Sequence, residues 1–135
     1  MRAVTQADAD EVAKLDAILF PDNCFNERTL AKEIALGFGW VIYNGMDLVG
    51  YALIRDEPHV LDVIRLGIHP DFQRQHLGTA LIKKVLEKRQ DVMLTVRESN
   101  VVALRMYRRH GFELIGRLQS GEGWVMLAKA NAASW

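Results

Sequence analysis

The sequence predicts an α/β domain with a mixed, mostly antiparallel central sheet of six to seven strands flanked by about four helices. Three observations carry that expectation. Apolar residues recur at helical spacing as far as Gly37 and at strand spacing from Trp40 onward. An Asn44-Gly45 dipeptide stands between two apolar runs, which is a strong hairpin signal. From His69 to the last strand, loop, helix and strand patterns alternate without an internal repeat, a linker or a low-complexity tract.

Met1–Val4 reads as a short first strand. Thr5, with Asp8 three residues on, forms a loose capping box opening a helix that carries Val12, Leu15 and Leu19 on one face. Phe20-Pro21-Asp22-Asn23 breaks it. Asn26 caps a second helix, with Leu30 and Ile34 on its apolar face, and Gly37 with Gly39 ends it. Trp40–Tyr43 and Leu48–Arg55 are hairpin arms whose turn at Asn44-Gly45 suits type I′ geometry, with positive φ at both residues. Asp56-Glu57-Pro58 is a turn, and Val60–Ile68 is a third long strand of the meander. Leu77–Arg89 reads as an amphipathic helix, with Leu81, Ile82, Val85 and Leu86 inward and Lys83, Lys84 and Lys88 outward. Val92–Val96 is a buried strand. Ser99 is the expected cap of a helix to Arg109, with Val102, Ala103, Met106 and Tyr107 inward and Gly111 as its left-handed C′ residue. Phe112–Leu118 and Trp124–Lys129 are strands that close the domain, residues 1–129. The tail, Ala130–Trp135, carries no pattern and is expected to fray.

Composition narrows the function classes. The 135 residues are half hydrophobic and one quarter charged, the profile of one soluble globular domain. Seventeen basic residues balance seventeen acidic ones, which argues against nucleic-acid and membrane-surface binding and makes any anion site local. A lone Cys24 excludes an intramolecular disulfide framework and fits a reducing compartment. With no signal-peptide pattern and no apolar run of bilayer length, a cytoplasmic location is expected. The four histidines and one cysteine make no zinc-ligand pattern, so no metal is expected.

The chemistry concentrates in two segments. His69–Ala80 runs from an apolar strand through a polar loop into a helix start, where backbone N–H groups and the helix dipole favour an anion. Val96-Arg97-Glu98-Ser99-Asn100 is followed by Tyr107 and His110-Gly111-Phe112. Together they resemble the acyl-CoA site of the GNAT N-acetyltransferases. Gln73-Arg74-Gln75-His76-Leu77-Gly78 stands for the family loop Gln/Arg-x-x-Gly-x-Gly/Ala, and Pro70-Asp71-Phe72 for its lead-in. The run from Val96 to Asn100 is similar to the branch that acetylates protein N-termini, including the ribosomal-protein acetyltransferases.

That resemblance implies acetyl-CoA as cosubstrate and transfer of its acetyl group to a primary amine, directly within a ternary complex. Amides from Arg74 to Thr79, that is Arg74, Gln75, His76, Leu77, Gly78 and Thr79, would converge on the pyrophosphate, with Gln73 beside them. Leu66, Gly67 and Ile68 would pair with the pantetheine arm, an N–H near Ile68 would hold the oxyanion, and Asn100 would bond the arm or position the acyl group. Tyr107 would protonate the departing thiolate. For the base, Asp62 and Glu98 are the candidates. Histidine is the other residue type suited to a base near neutral pH, but His59 and His69 are more simply structural or surface residues. Two positions depart from the family. His76 replaces the first glycine, which costs on the order of 1–2 kcal/mol if φ there is positive. Thr95 stands where the N-terminal branch often carries Glu, and threonine is no base near neutral pH.

The acceptor is read as a protein N-terminus or lysine, or a small amine. Its groove is expected between the two N-terminal helices, around Phe20–Phe25, and the Leu118–Trp124 hairpin, where Asp16, Asp22 and Glu122 offer negative charge. Monomer and dimer are both compatible with the sequence. The competing reading is a non-catalytic acyl-CoA-binding or regulatory module, motivated by His76 and Thr95. A serine hydrolase is disfavoured because no Gly-x-Ser-x-Gly elbow is present.

Overall fold

The computed structural model describes residues 1–130; positions 131–135 of the expected tail lie outside the described residues. Eleven strands and α-helices follow in chain order: β1 (Arg2–Ala3), α1 (Ala9–Leu19), α2 (Glu27–Leu36), β2 (Phe38–Asn44), β3 (Asp47–Glu57), β4 (Val60–Ile68), α3 (Leu77–Leu86), β5 (Val92–Arg97), α4 (Val101–Arg109), β6 (Glu113–Arg117) and β7 (Gly123–Ala128). The strands form one seven-stranded sheet in the order β1-β2-β3-β4-β5-β7-β6. All neighbours are antiparallel except β4 and β5, which α3 connects as a parallel pair. The fold class and the element order expected from sequence are therefore observed.

Each face of the sheet holds its own core. α3 and α4 cover one side, where Leu81, Ile82, Val85 and Leu86 meet Leu61, Val63, Leu94, Tyr107, Phe112 and Met126. α1 and α2 cover the other, where Val12, Leu15, Leu30 and Ile34 meet Val41, Tyr51 and Leu53. β3 supplies both cores and is buried almost throughout, as a central strand flanked on two faces should be. Among the described residues no helix is long and apolar enough to cross a membrane.

Several local expectations are corrected by turn and cap chemistry. The β2–β3 turn is Gly45-Met46, since Asn44 pairs with Asp47 and φ is positive at Gly45 (64°) but not at Met46. That is the type II′ pattern, with glycine at the first central position. β3 runs on to Glu57, and the next turn is Pro58-His59, with His59 at φ 72° as in a type II turn led by proline. α3 stops at Leu86, three residues early, and Arg89 takes a left-handed φ of 53° beyond it. Asn100, not Ser99, caps α4, its side chain accepting from the Ala103 N–H at 3.2 Å. The inner stripe of α4 is Ala103, Leu104, Met106 and Tyr107, and Val102, expected inward, is exposed. Gly37 ends α2 without a left-handed φ. A Cβ there would lie 2.0 Å from the Ile54 carbonyl oxygen, so close backbone approach is what requires glycine.

The capping box before α1 became a stronger feature than its spacing suggests. Asp8 is buried and accepts from the Thr5 N–H (2.8 Å), the Arg2 guanidinium (2.7 and 2.9 Å) and the Tyr43 hydroxyl (3.0 Å). One carboxylate thus joins β1, β2 and the entry to α1. These donors, Arg2 foremost, pull the Asp8 carboxyl down from 3.8 to about 2. A depressed folded-state value stabilises the fold fully above the ordinary carboxyl range, and the gain is lost as pH falls through the folded value. Asp8→Asn is expected to cost about 1–2 kcal/mol at neutral pH in urea unfolding. Its difference from wild type should close between about pH 4 and pH 2; a difference that persists unchanged to pH 2 contradicts the assignment.

Candidate active site

β4 and β5 part almost as soon as they meet. Only Leu61, Asp62 and Val63 pair with Val92, Met93 and Leu94. Past that point β5 keeps its antiparallel partner β7 as far as Arg97, while β4 keeps β3 as far as Ile68. Leu53 faces Arg65 while Ile54 faces Val63, so Ile64 is an extra residue, a bulge at the point of divergence. The bulge switches the alternation of β4. Leu61 and Val63 face the α3–α4 core, and so do Leu66 and Ile68, whereas Ile64 packs on the α1–α2 side. Between the strands opens a cleft of about 620 Å³, walled by Val63–Leu66, Leu94–Arg97, Leu19–Asn23, Ser99, Asn100, Tyr107, Leu118, Ser120 and Glu122. From Ile64 onward the β5-facing edge of β4 has no strand partner, so its N–H and C=O groups are available to an extended ligand.

Tyr107 stands on the cleft floor. It is 7 % exposed, its ring is tilted against Phe112 at 5.6 Å, and its hydroxyl has no protein hydrogen-bond partner. Every fully buried polar side-chain atom described is satisfied, so this hydroxyl opens on the cleft. Burial pushes the phenol up to about 12. Asn100 lines the same cleft, and because Oδ1 is occupied by the cap only its Nδ2 remains as a donor toward a ligand.

The second motif meets the first at the end of β4. Gly78, in the first turn of α3, sits beneath Met106 of α4 and Ile68 of β4: a Cβ built on it would meet their side chains at 3.6 and 3.9 Å. The amides of His76, Leu77, Gly78 and Thr79 have no hydrogen-bond acceptor in the protein, and α3 has no side-chain cap. These four donors and the positive end of the helix face one place. Arg74 (φ 67°) and His76 (φ 63°) are both left-handed, a kinked backbone of the kind that turns successive N–H groups inward as a nest. The strain anticipated for a positive φ at His76 is therefore present. Gln73 spends its side-chain amide on the Ile68 carbonyl (3.2 Å), tying the loop to β4. Arg74 and Gln75 are exposed, and no hydrogen bond or ion pair holds their side chains. Gly67 leaves room for Leu19 and Tyr51, since a Cβ there would lie 2.5 Å from the Leu19 Cδ1.

The two expected bases do not join Tyr107. Asp62 alternates with Leu61 and Val63, so it projects from the opposite face, beside Arg55 and its α2 partner Glu33. Burial, opposed by Arg55, pushes its carboxyl up. Glu98 lies outside the cleft wall and is held by Arg117 at 3.0 Å. Thr95 is the residue β5 presents to the cleft at that level, exposed and unable to act as a base. The carboxylates that do line the cleft are Asp22 and Glu122, neither with a cationic partner. His69 has a structural role: its Nδ1 accepts the Asp71 N–H at 3.1 Å.

Asp16, expected to lend negative charge to the acceptor groove, is fully buried and paired instead. It accepts from the Tyr51 hydroxyl, from Arg65 Nε and Nη2 (2.9 and 3.2 Å) and from the Phe25 N–H (2.8 Å). Arg65 went unnoticed in the sequence. Its guanidinium lies between the rings of Phe20 and Phe25, at 4.2 and 4.1 Å, and bonds the Asn23 carbonyl at 2.6 Å. The signal was there: the one cation in the mostly apolar run of β4, and an acid at the i+4 position from Val12 on the inner stripe of α1.

Comparison with known proteins fits this geometry. Residues 9–112 match the family model described as "Acetyltransferase (GNAT) family". The chain is 33% identical over 123 residues to the N-alpha-acetyltransferase RimI of Mycobacterium tuberculosis, covering 84% of this chain and 78% of that one. Among solved structures, the ribosomal-protein-S18-alanine N-acetyltransferase of Escherichia coli superposes with a TM-score of 0.82 at 19% identity, over 98% of this chain and 94% of the other. Arabidopsis thaliana NAA60, solved with a bisubstrate analogue, gives 0.82 at 16% identity, over 98% of both chains. At those identities the structures speak for the fold alone; the family model and the mycobacterial relative carry the assignment. The chain belongs to the GNAT family of acetyltransferases.

Proposed function

We propose that the protein transfers the acetyl group of acetyl-CoA to a primary amine within a ternary complex, with Tyr107 as the acid that protonates the leaving thiolate. The observation that carries this reading is the buried, unpartnered Tyr107 hydroxyl opening on the cleft where β4 and β5 part. Acetyl-CoA fits the residues around it. Its pantetheine arm would lie along the free β4 edge from Leu66 to Ile68, and its pyrophosphate against the amides of His76–Thr79. The protein leaves room for a side chain at Gly78, so the glycine is better explained by a ligand approaching the helix start than by internal packing.

In the reaction the neutral amine attacks the thioester carbonyl, a C–N bond forms, and the C–S bond breaks. Tyr107 donates its proton to the departing sulfur; the proton the arriving ammonium sheds before attack and the one the nitrogen sheds after it leave to solvent at the open cleft, from which the phenolate is reprotonated. A phenol raised to about 12 stays protonated at neutral pH, and the same burial disfavours a bare thiolate beside it. Backbone N–H groups near Ile68 would hold the oxyanion. Asp22 and Glu122 favour an acceptor that arrives as a cation. We assign that acceptor as a protein or peptide α-amine before a lysine or small amine, on the Val96–Asn100 motif and the name of the mycobacterial relative.

Two variants test the reading. Tyr107→Phe is expected to lower kcat by about 10²–10⁴-fold while leaving CoA affinity within twofold by isothermal titration. Wild-type kcat should show no loss from Tyr107 ionisation below about pH 11. CoA binding without turnover across peptides, polyamines and aminoglycosides contradicts the enzyme and favours the acyl-CoA-binding module. Gly78→Ala is expected to fold with unchanged or slightly greater stability, by up to about 1 kcal/mol in thermal unfolding, yet to bind CoA at least about tenfold more weakly. Equal CoA affinity in Gly78→Ala rejects the helix-start site.

A further inference from the structure

The wall of the cleft opposite α4 is a loop, and loops of this kind drift unless something holds them. Residues Phe20–Phe25 connect α1 to α2 with few backbone bonds of their own: the Phe20 N–H donates to Asp16 and the Asn23 N–H to the Phe20 carbonyl. What fixes the segment is one side chain from the sheet. Arg65 follows the β4 bulge, 10 % exposed, and reaches out under the loop. Its guanidinium makes three kinds of contact at once. It forks onto Asp16 of α1, bonds the Asn23 carbonyl at 2.6 Å, and is sandwiched between Phe20 and Phe25. Asp16 then accepts the Phe25 N–H, closing the ring of contacts from the far end of the loop. A lysine could match the charge but neither the fork nor the stacking.

From this geometry we infer that Arg65 is a positioning residue for acceptor binding, holding the loop so that its Phe20–Asn23 stretch forms one wall of the cleft, and with it Asp22. The inference rests on the reading that the cleft takes the acceptor amine. It assigns the contrast between the two substrates to two parts of β4: the edge beyond Arg65 serves acetyl-CoA, and Arg65 itself serves the acceptor through the loop it holds.

The test separates these. Arg65→Lys leaves Asp16 with a cationic neighbour and so avoids a buried unpaired carboxylate. Phe25→Leu keeps the Arg65–Asp16 pair and removes one face of the sandwich at a residue that is not part of the cleft wall. In both, initial rates with each substrate varied should show acceptor KM raised, by about tenfold or more in Arg65→Lys, with acetyl-CoA KM within twofold. Amide hydrogen exchange at Phe25 should quicken in both variants relative to the α3–α4 core. Equal rises in both KM values, or unchanged acceptor KM with unchanged exchange at Phe25, overturn the inference. Exchange is read without any substrate. If wild type transfers to no amine, the proposed function fails, and unchanged exchange at Phe25 would then overturn the role of Arg65 as well.

Discussion

β4 and β5 share three paired residues and then separate, and most of the chemistry of this domain follows from that separation. Two parallel strands would ordinarily zip along their length, because each unpaired N–H or C=O in a dry environment costs about 1–3 kcal/mol. Here β5 is drawn to β7 along its whole length and β4 to β3, while the Ile64 bulge turns β4 away at the point of divergence. The result is an open edge flanked by apolar walls. Such an edge is satisfied only by water or by an extended ligand, and the cleft beside it is floored by a tyrosine whose hydroxyl nothing in the protein occupies. On our reading the fold leaves the middle of its sheet incomplete and the pantetheine arm completes it.

The two ends of that edge are governed by opposite electrostatics. At the α3 end, four free amides and the helix dipole offer partial positive charge, and two residues with side chains sit at left-handed φ to arrange them. His76 bears a strain of about 1–2 kcal/mol that glycine would not. At the other end Arg65 is matched by Asp16 and, outside the cleft wall, Arg117 by Glu98, while Arg97 lines the cleft with no acidic partner among the described residues. Asp22 and Glu122 are left facing the cleft without cationic partners. A buried ion pair such as Arg65–Asp16 adds little net stability over an apolar pair; its contribution here is to fix the direction in which a loop leaves the core.

How much of this the sequence disclosed depends on the range of the interaction. Local, periodic features were legible. The alternation and apolar stripes located every strand and helix, and the strand-loop-helix pattern at His69–Ala80 marked a helix start with free amides. Features one residue wide were misread where competing turn chemistries differ only in which residue takes positive φ, as at Gly45-Met46 and Pro58-His59. Ser99 and Asn100 are both good caps, and the choice between them is made by which side chain reaches a free amide of the first turn, here Asn100 to Ala103. The placement of the carboxylates was least legible. Whether Asp62 faces Tyr107 depends on strand parity either side of a bulge, and Ile64 carries no bulge signature such as glycine. Likewise, Asp16 and Arg65 are 49 residues apart, and neither announces the other except by being a charge where an apolar residue belongs.

The most direct test of the central claim is a CoA titration followed by amide chemical shifts in ¹⁵N-labelled protein. The expected result is one saturable transition that moves the His76–Thr79 amides and those of Leu66–Ile68 together, while Asp62 and the β2–β3 turn stay still. Shifts confined to other surfaces, or movement of the α3 amides without the β4 edge, would contradict a ligand that completes the sheet where β4 and β5 part.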